Sequence, residues 1–372
     1  MPARVVALSL PLLIFLAGPS SAQYGTFPAP SNVRGAEYPR IYSDLRVAFR
    51  VKAPTARTVQ IQPAGMDDGF GPGPFDMVRG DGGVWTVTTP PVRPGFHYYN
   101  LVVDGFPTTD PGSETFFGWA RESSGLEVPD PKLDFYSLQD VPHGDVRVHW
   151  YDSRVTGTAR RAFVYTPPGY DSGSPGRRYP VLYLQHGAGE SERAWTAQGC
   201  ANFILDNLIA QGKAVPMIVV MDLGYGLRKG QAPKPGSRNN EAFPEVLVSD
   251  LIPEIDKTYR TVAGRTGRAI AGLSMGAGQA LQVGLGYPQH FAFVGAFSTD
   301  LRSVDVQAAK AGGFRVLWIG CGDTDEFIER NRGIHQSLEQ AGVKHVWFTG
   351  IGSHEWQAWR KHLAAFAPLL FR

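Results

Sequence analysis

The chain has 372 residues, comfortable for two domains, and its 43% hydrophobic content is ordinary for a globular protein. A formal net charge of +2 supplies no global field, which argues against nucleic acid or an anionic membrane surface as partner. Aromatic residues make up 12%, which suits sugar or aryl ligands but equally suits a β-rich core, the preferred reading.

Residues 1–22 read as a signal peptide. Arg4 gives a positive start, Val5 to Ala17 an apolar run too short to span a bilayer comfortably, and Ser20-Ser21-Ala22 the small residues of a cleavage site before Gln23. The expectation is a secreted or periplasmic protein. No later stretch is long and apolar enough for a membrane anchor. Export permits a disulfide between Cys200 and Cys321, although two buried free thiols are preferred.

Residues 23–130 carry strand signals and no helical period. Polar and apolar residues alternate in Arg46 to Val51, Thr58 to Ile61 and Val84 to Thr88. Phe96 to Val103 then runs into Asp104-Gly105, a hairpin-turn pair. The expectation is a small all-β sandwich of immunoglobulin-like type. Asp110 to Pro131 reads as a Pro/Gly/Ser-rich connector. Phe116, Phe117 and Trp119 within it are too apolar for a free linker, so the two domains are expected to dock.

From residue 131 to 372 apolar strands alternate with helices, the pattern of a doubly wound, mostly parallel α/β sheet. An antiparallel pair, Gly144 to Tyr151 and Arg161 to Thr166, comes first. Strands follow at Tyr179 to His186, Val215 to Asp222, Phe293 to Ser298, Arg315 to Gly320 and His345 to Gly350. Helices are expected over Ala201 to Gln211, Ala242 to Tyr259, Glu326 to Ala341 and Trp356 to Leu370. In mid-sheet, Gly272-Leu273-Ser274-Met275-Gly276 lies between a buried strand and a helix. In that context G-x-S-x-G is a nucleophile elbow, and the architecture is that of an α/β-hydrolase.

Such an elbow needs an acid and then a base in loops after later strands. His354 is the downstream histidine in a post-strand loop; His335, His345 and His362 fall on helices or a strand start. For the acid, Gly320-Cys321-Gly322-Asp323-Thr324-Asp325 offers two carboxylates. Asp325 is favoured, with Asp323 closing the loop as an Asx partner and Asp300 a remote third. The oxyanion donors are expected from the backbone N–H groups of Met275 and of Ala188 in His186-Gly187-Ala188-Gly189. His186 precedes the serine and is read as a structural hydrogen-bonding residue of that loop. No metal or other cofactor is expected, since the histidines lack metal-site spacing.

Two resemblances follow from these residues. Leu45 to Ala53, Gly82-Val84-Trp85 and Pro94 to Tyr99 with Val103-Asp104-Gly105 resemble the immunoglobulin-like modules of glycogen-branching enzymes and many exported esterases. The resemblance suggests Trp85, Tyr98 and Tyr99 as sugar-stacking residues, although a wall of the active site or a spacer is the preferred role of the module. Tyr183 to Glu190, Ala201 to Asn207, Gly272 to Gly276 and His354 to Arg360 resemble the first family of carbohydrate esterases, which is similar to enterochelin esterases. The family's nucleophile, base and acid fall on Ser274, His354 and Asp325. Ala188, where many relatives have glycine, and Cys200 depart from its pattern.

The resemblance implies ester hydrolysis through an acyl-enzyme. The expected substrates are plant cell-wall polysaccharide esters, feruloylated arabinoxylan first and acetylated xylan second. Trp195, Tyr225 and Trp356 are candidates for a phenolic or sugar subsite. A siderophore esterase ranks lower, because it would prefer a strongly basic pocket and the near-neutral net charge gives that no help. A non-catalytic polysaccharide-binding protein is remote, given the complete Ser274, Asp325 and His354 set.

Overall fold

The computed structural model describes residues 25–65, 69–130 and 132–372. The expected signal peptide lies outside the described residues. Among those residues, no helix is long and apolar enough to cross a membrane.

The N-terminal region is two antiparallel sheets. One runs Thr26–Pro28, Arg40–Tyr42, Val47–Lys52, Val84–Thr88, Val78–Arg79. The other runs Thr115–Gly118, Arg121–Val128, Gly95–Val103, Val59–Ala64, Phe75–Asp76, with Phe106–Thr108 also on Gly95–Val103. Alternation places Val47, Phe49 and Val51 inside while Arg50 and Lys52 face solvent. These residues pack with Ile61, Trp85, Tyr99 and Leu101 into one core.

Gly95–Val103 is buried on both faces along most of its length. Its period of two divides the aromatics between two cores. Tyr99 and Leu101 join the N-terminal core, while Phe96 and Tyr98 join a core of the C-terminal region. The two regions are therefore docked through this sheet. Trp85 and Tyr99, suggested as sugar platforms, are core residues instead. The Trp85 Nε1–H donates to the Ala53 carbonyl (2.9 Å) and the Tyr99 hydroxyl to Asp110 (2.8 Å).

The expected connector over Asp110 to Pro131 contains the Thr115–Gly118 and Arg121–Val128 strands. Serines in place of apolar residues hid the second of them. Ser123 and Ser124 are fully buried, and the Ser124 hydroxyl accepts from the Asp110 amide (2.7 Å).

The C-terminal region is an α/β fold on one eight-stranded sheet. Across the sheet the strands are Asp145–Ser153, Thr158–Thr166, Ile218–Asp222, Val181–Gln185, Arg268–Leu273, Phe293–Phe297, Val316–Gly322 and Val346–Gly350. The first two pairings are antiparallel and the remaining five parallel. Buried parallel strands read as apolar runs, as residues 181–184 and 218–221 do before the polar Gln185 and Asp222 at the strand ends. Separate apolar cores cover the two faces.

The helix expected over Ala242 to Tyr259 forms in three successive pieces. Phe243–Glu245 is α, Val246–Leu251 a π segment and Ile252–Thr258 α. Pro253, which has no N–H to donate backwards, lies in the first turn of the α segment that follows the widened stretch. Cys200 and Cys321 are both free thiols.

Candidate active site

The Arg268–Leu273 strand leads directly into Ser274, and the Met275–Gly286 helix starts at the next residue. Ser274 takes φ 51° and ψ −117°, a conformation that L residues rarely adopt and that functional sites commonly hold. The turn closes because two neighbours lack side chains. A Cβ on Gly272 would lie 2.5 Å from the Gly276 carbonyl oxygen, and one on Gly276 2.5 Å from that of His186.

The loops after the seventh and eighth strands bring in the other two groups. His354 Nε2 lies 3.0 Å from Ser274 Oγ, and His354 Nδ1 lies 3.1 and 3.0 Å from the two Asp325 oxygens. Phe327 and Trp359 pack edge-to-face on the imidazole, at 4.8 and 4.9 Å between centroids, and fix its plane. Asp325 is 1% exposed. Burial alone would raise its pKa, but hydrogen bonding and charge attraction from His354, with the Phe327 amide (2.8 Å), hold it below the ordinary carboxylate range. It can orient the imidazole and stabilise an imidazolium.

The rival carboxylates are engaged elsewhere. Asp323 accepts from the Gly352 amide (3.1 Å) and ties the two loops together, and Asp300 pairs with Arg238 (2.6 Å).

Of the amides following His186, that of Gly187 donates to Glu190 (2.9 Å) and that of Gly189 to the Tyr225 hydroxyl (2.6 Å). Between them the Ala188 amide has no hydrogen-bond acceptor among the described residues, and Ala188 lines the cleft beside Ser274. Met275 is the first residue of its helix, where the amide has no partner within the helix. His186 braces the loop: its Nδ1–H donates to the Gly187 carbonyl (2.8 Å), and Nε2 accepts from the Gly224 amide (2.9 Å). Burial pushes its pKa down to about 4, so it is neutral there.

These groups open into a cleft lined by both the catalytic loops and the N-terminal region. Trp356 lines it, and its Nε1–H donates to Tyr98 (3.3 Å). Trp195, expected as a subsite residue, does not line it. It is a core residue 1% exposed, its Nε1–H donating to the Gln185 carbonyl (2.8 Å) and its ring edge-on to Trp356. Tyr225 is likewise absent from the cleft wall; its hydroxyl holds the Gly189 amide instead.

Sequence reasoning assigned no role to Glu190, Arg238 or Phe327, which all line the cleft. Glu190 accepts from Gly187 and, at 3.3 Å, from Tyr98. Burial raises its pKa to about 7. Its place directly after a glycine loop was a usable signal, whereas Arg238 lies in an irregular segment that offers none. Five cleft residues, Ala64, Gly65, Phe96, Tyr98 and Trp119, come from the N-terminal sheets, which thus form one wall.

The fold and this cleft define the class: an α/β protein whose sheet presents serine, aspartate and histidine at the carboxyl ends of separate strands, beneath a β-rich wall. The family follows from comparison with known proteins. A sequence model of the esterase family matches residues 153–370, more than half of the chain, and the chain belongs to that family.

The endo-1,4-beta-xylanase/feruloyl esterase of Xylanibacter ruminicola is 40% identical over 353 residues. The match covers 93% of this chain but 47% of that protein, so the chain spans about half the length of this relative. A solved ferulic acid esterase is 29% identical, with a TM-score of 0.53 over 61% of this chain and 97% of its own. The enterobactin esterase FES of Shigella flexneri, 18% identical, shares the fold with a TM-score of 0.65 over 87% of this chain and 92% of its own.

Proposed function

We propose that the protein is an exported serine carboxylic-ester hydrolase that releases ferulate from feruloylated arabinoxylan. The observation that carries the chemistry is His354 bridging Ser274 and Asp325 with hydrogen bonds of 3.0–3.1 Å in a cleft that also holds the Ala188 amide. The substrate rests on the 40% identical relative, whose name joins a xylanase to a feruloyl esterase. Residues 1–22 direct export in this reading. Residues 23–130 form an immunoglobulin-like wall of the site, and residues 131–372 form the α/β-hydrolase domain.

The reaction has two halves. As Ser274 Oγ attacks the ester carbonyl carbon, His354 Nε2 takes its proton. The Met275 and Ala188 amides receive the developing oxyanion, each such donor being worth roughly 10²–10³ in kcat. The imidazolium, steadied by Asp325, protonates the departing alcohol oxygen, leaving the acyl group on Ser274. Water then attacks the acyl-enzyme with His354 as base, and the carboxylic acid is released.

The test is Ser274→Ala. Turnover should fall by roughly 10⁶ with the circular dichroism spectrum and melting temperature retained. More than trace hydrolysis by that variant would overturn the assignment. Rates on methyl ferulate, acetylated xylan and a ferric catecholate ester then decide the substrate. Absence of ferulate release alongside deacetylation would replace the acyl group and leave the chemistry in place.

A further inference from the structure

Among the residues that the β-rich region sends into the cleft, Trp119 comes from the tip of a hairpin. Thr115–Gly118 and Arg121–Val128 pair with Gly118 opposite Arg121, so Trp119 and Ala120 are the whole turn. Both have positive φ, 57° and 61°. A two-residue turn of that kind ordinarily carries Asn-Gly, because a side chain at either position crowds the backbone. A tryptophan there is retained against the local preference of the chain.

The turn is seated by the catalytic region. The Ala120 amide donates to the carbonyl of Gly189, in the same loop as Ala188 (2.8 Å). A Cβ on Gly189 would lie 2.9 Å from the Trp119 Cα, so only glycine lets the loop and the turn meet. From the other side, a Cβ on Gly65 would lie 2.6 Å from Trp119 Nε1. The indole therefore rests against bare backbone at one edge, which fixes its direction.

Yet the ring is not buried. Trp119 is 40% exposed, whereas Trp356 and Trp359, which line the same cleft, are 2% and 5% exposed. Core packing accounts for those two and not for Trp119. A large aromatic surface, part of it exposed, is thus held in a strained turn on the wall of the cleft that also holds Ser274.

We propose that Trp119 is a specificity-determining residue of this cleft, a platform on which a flat ring of the substrate stacks. The inference rests on the esterase reading given above. The chemistry recognised is a planar or near-planar ring adjacent to the ester, whose faces complement an indole. Either side of the scissile bond can supply one: the aryl ring of a hydroxycinnamoyl group or a sugar ring of the leaving alcohol.

The test uses the full chain with Trp119→Ala, Trp119→Leu and Trp119→Phe. Leu keeps apolar bulk over Gly65 without a ring and guards against misfolding of the Ala variant, and Phe restores a ring. Four esters separate the sources: methyl ferulate (aryl only), an acetylated xylo-oligosaccharide (sugar only), a feruloylated arabinoxylan oligosaccharide (both) and ethyl acetate (neither). The Ala and Leu variants should raise KM about tenfold on ring-bearing esters with kcat little changed. The Phe variant should recover most of that loss, and ethyl acetate should be unaffected. A KM effect confined to the aryl arm places the platform on the acyl side, and one confined to the sugar arm on the alcohol side; both support it.

An equal loss on ethyl acetate would mean that the turn only holds the Ala188 loop in place, which overturns the inference. Unchanged KM on every ring-bearing ester overturns it too, while the hydrolase reading stands. Wild-type protein inert on all four esters would overturn both.

Discussion

Two carboxyl groups of this site are driven in opposite directions. Asp325 is held low by His354 and the Phe327 amide against the cost of burial. A depressed folded pKa stabilises the fold above the unfolded value, and that contribution is lost as pH falls through the folded one. Asp325→Asn should therefore weaken acid sensitivity at the bottom of the carboxylate range. It should also cut kcat by about 10⁴, because the imidazole loses its orienting charge. Steady-state kinetics of the purified variant check the second effect, and a kcat within tenfold of the parent would count against Asp325 as the acid.

Glu190 has the reverse sign. Burial raises its folded pKa from near 4.5 to about 7, so the stability it contributes is full below 4.5 and declines as pH rises to about 7. Glu190→Gln, which can still accept from Gly187, should flatten the loss of stability across that window in urea melts. Parallel pH profiles for parent and variant would show that Glu190 is not the titrating group.

At the scale of elements, the elbow depends on backbone passing backbone. Gly276 sits where a Cβ would lie 2.5 Å from the His186 carbonyl oxygen and 2.6 Å from that of Gln185. Neither oxygen can move without shifting the strand that carries the Ala188 loop. Gly276→Ala should cost about 3 kcal/mol by overpacking, read from the shift in denaturation midpoint, and should lower activity as well. Native stability in that variant would mean that the strand–helix crossing is looser than these distances require.

For the whole molecule, the wall and the catalytic sheet are joined by a buried clamp. The Arg360 guanidinium, fully buried, donates to both Glu127 oxygens at 2.9 Å and through Nε to the Gln198 carbonyl at 3.0 Å. Glu127 belongs to the N-terminal sheet and Arg360 to the Trp356–Phe366 helix. Removing one partner strands a desolvated charge, so Arg360→Met should cost about 3–5 kcal/mol in thermal or urea unfolding. Adding Glu127→Leu should recover much of that loss, since an apolar pair has no charge to strand. Failure of the double variant to recover would mean that shape, rather than charge, governs this contact.

The sequence by itself determined what depends on local pattern. Alternation of period two marked the N-terminal strands, and apolar runs marked the parallel ones. Chain order then put Ser274, the Asp323/Asp325 loop and His354 at strand ends, because a doubly wound sheet leaves its loops there. Tertiary structure decided what depends on distant neighbours. Asp325 and Asp323 share one loop, and only the fold of that loop shows which of them meets His354. Trp195 and Trp356 look alike as residues, yet packing against Phe297 and the Gln185 carbonyl buries the first while the second lines the cleft. Tyr98 and Trp119 meet Glu190 and Gly189 across some 70 to 90 positions, a separation that no local periodicity encodes. Periodicity tells a strand which side is inside; it does not say which other sheet will cover that side.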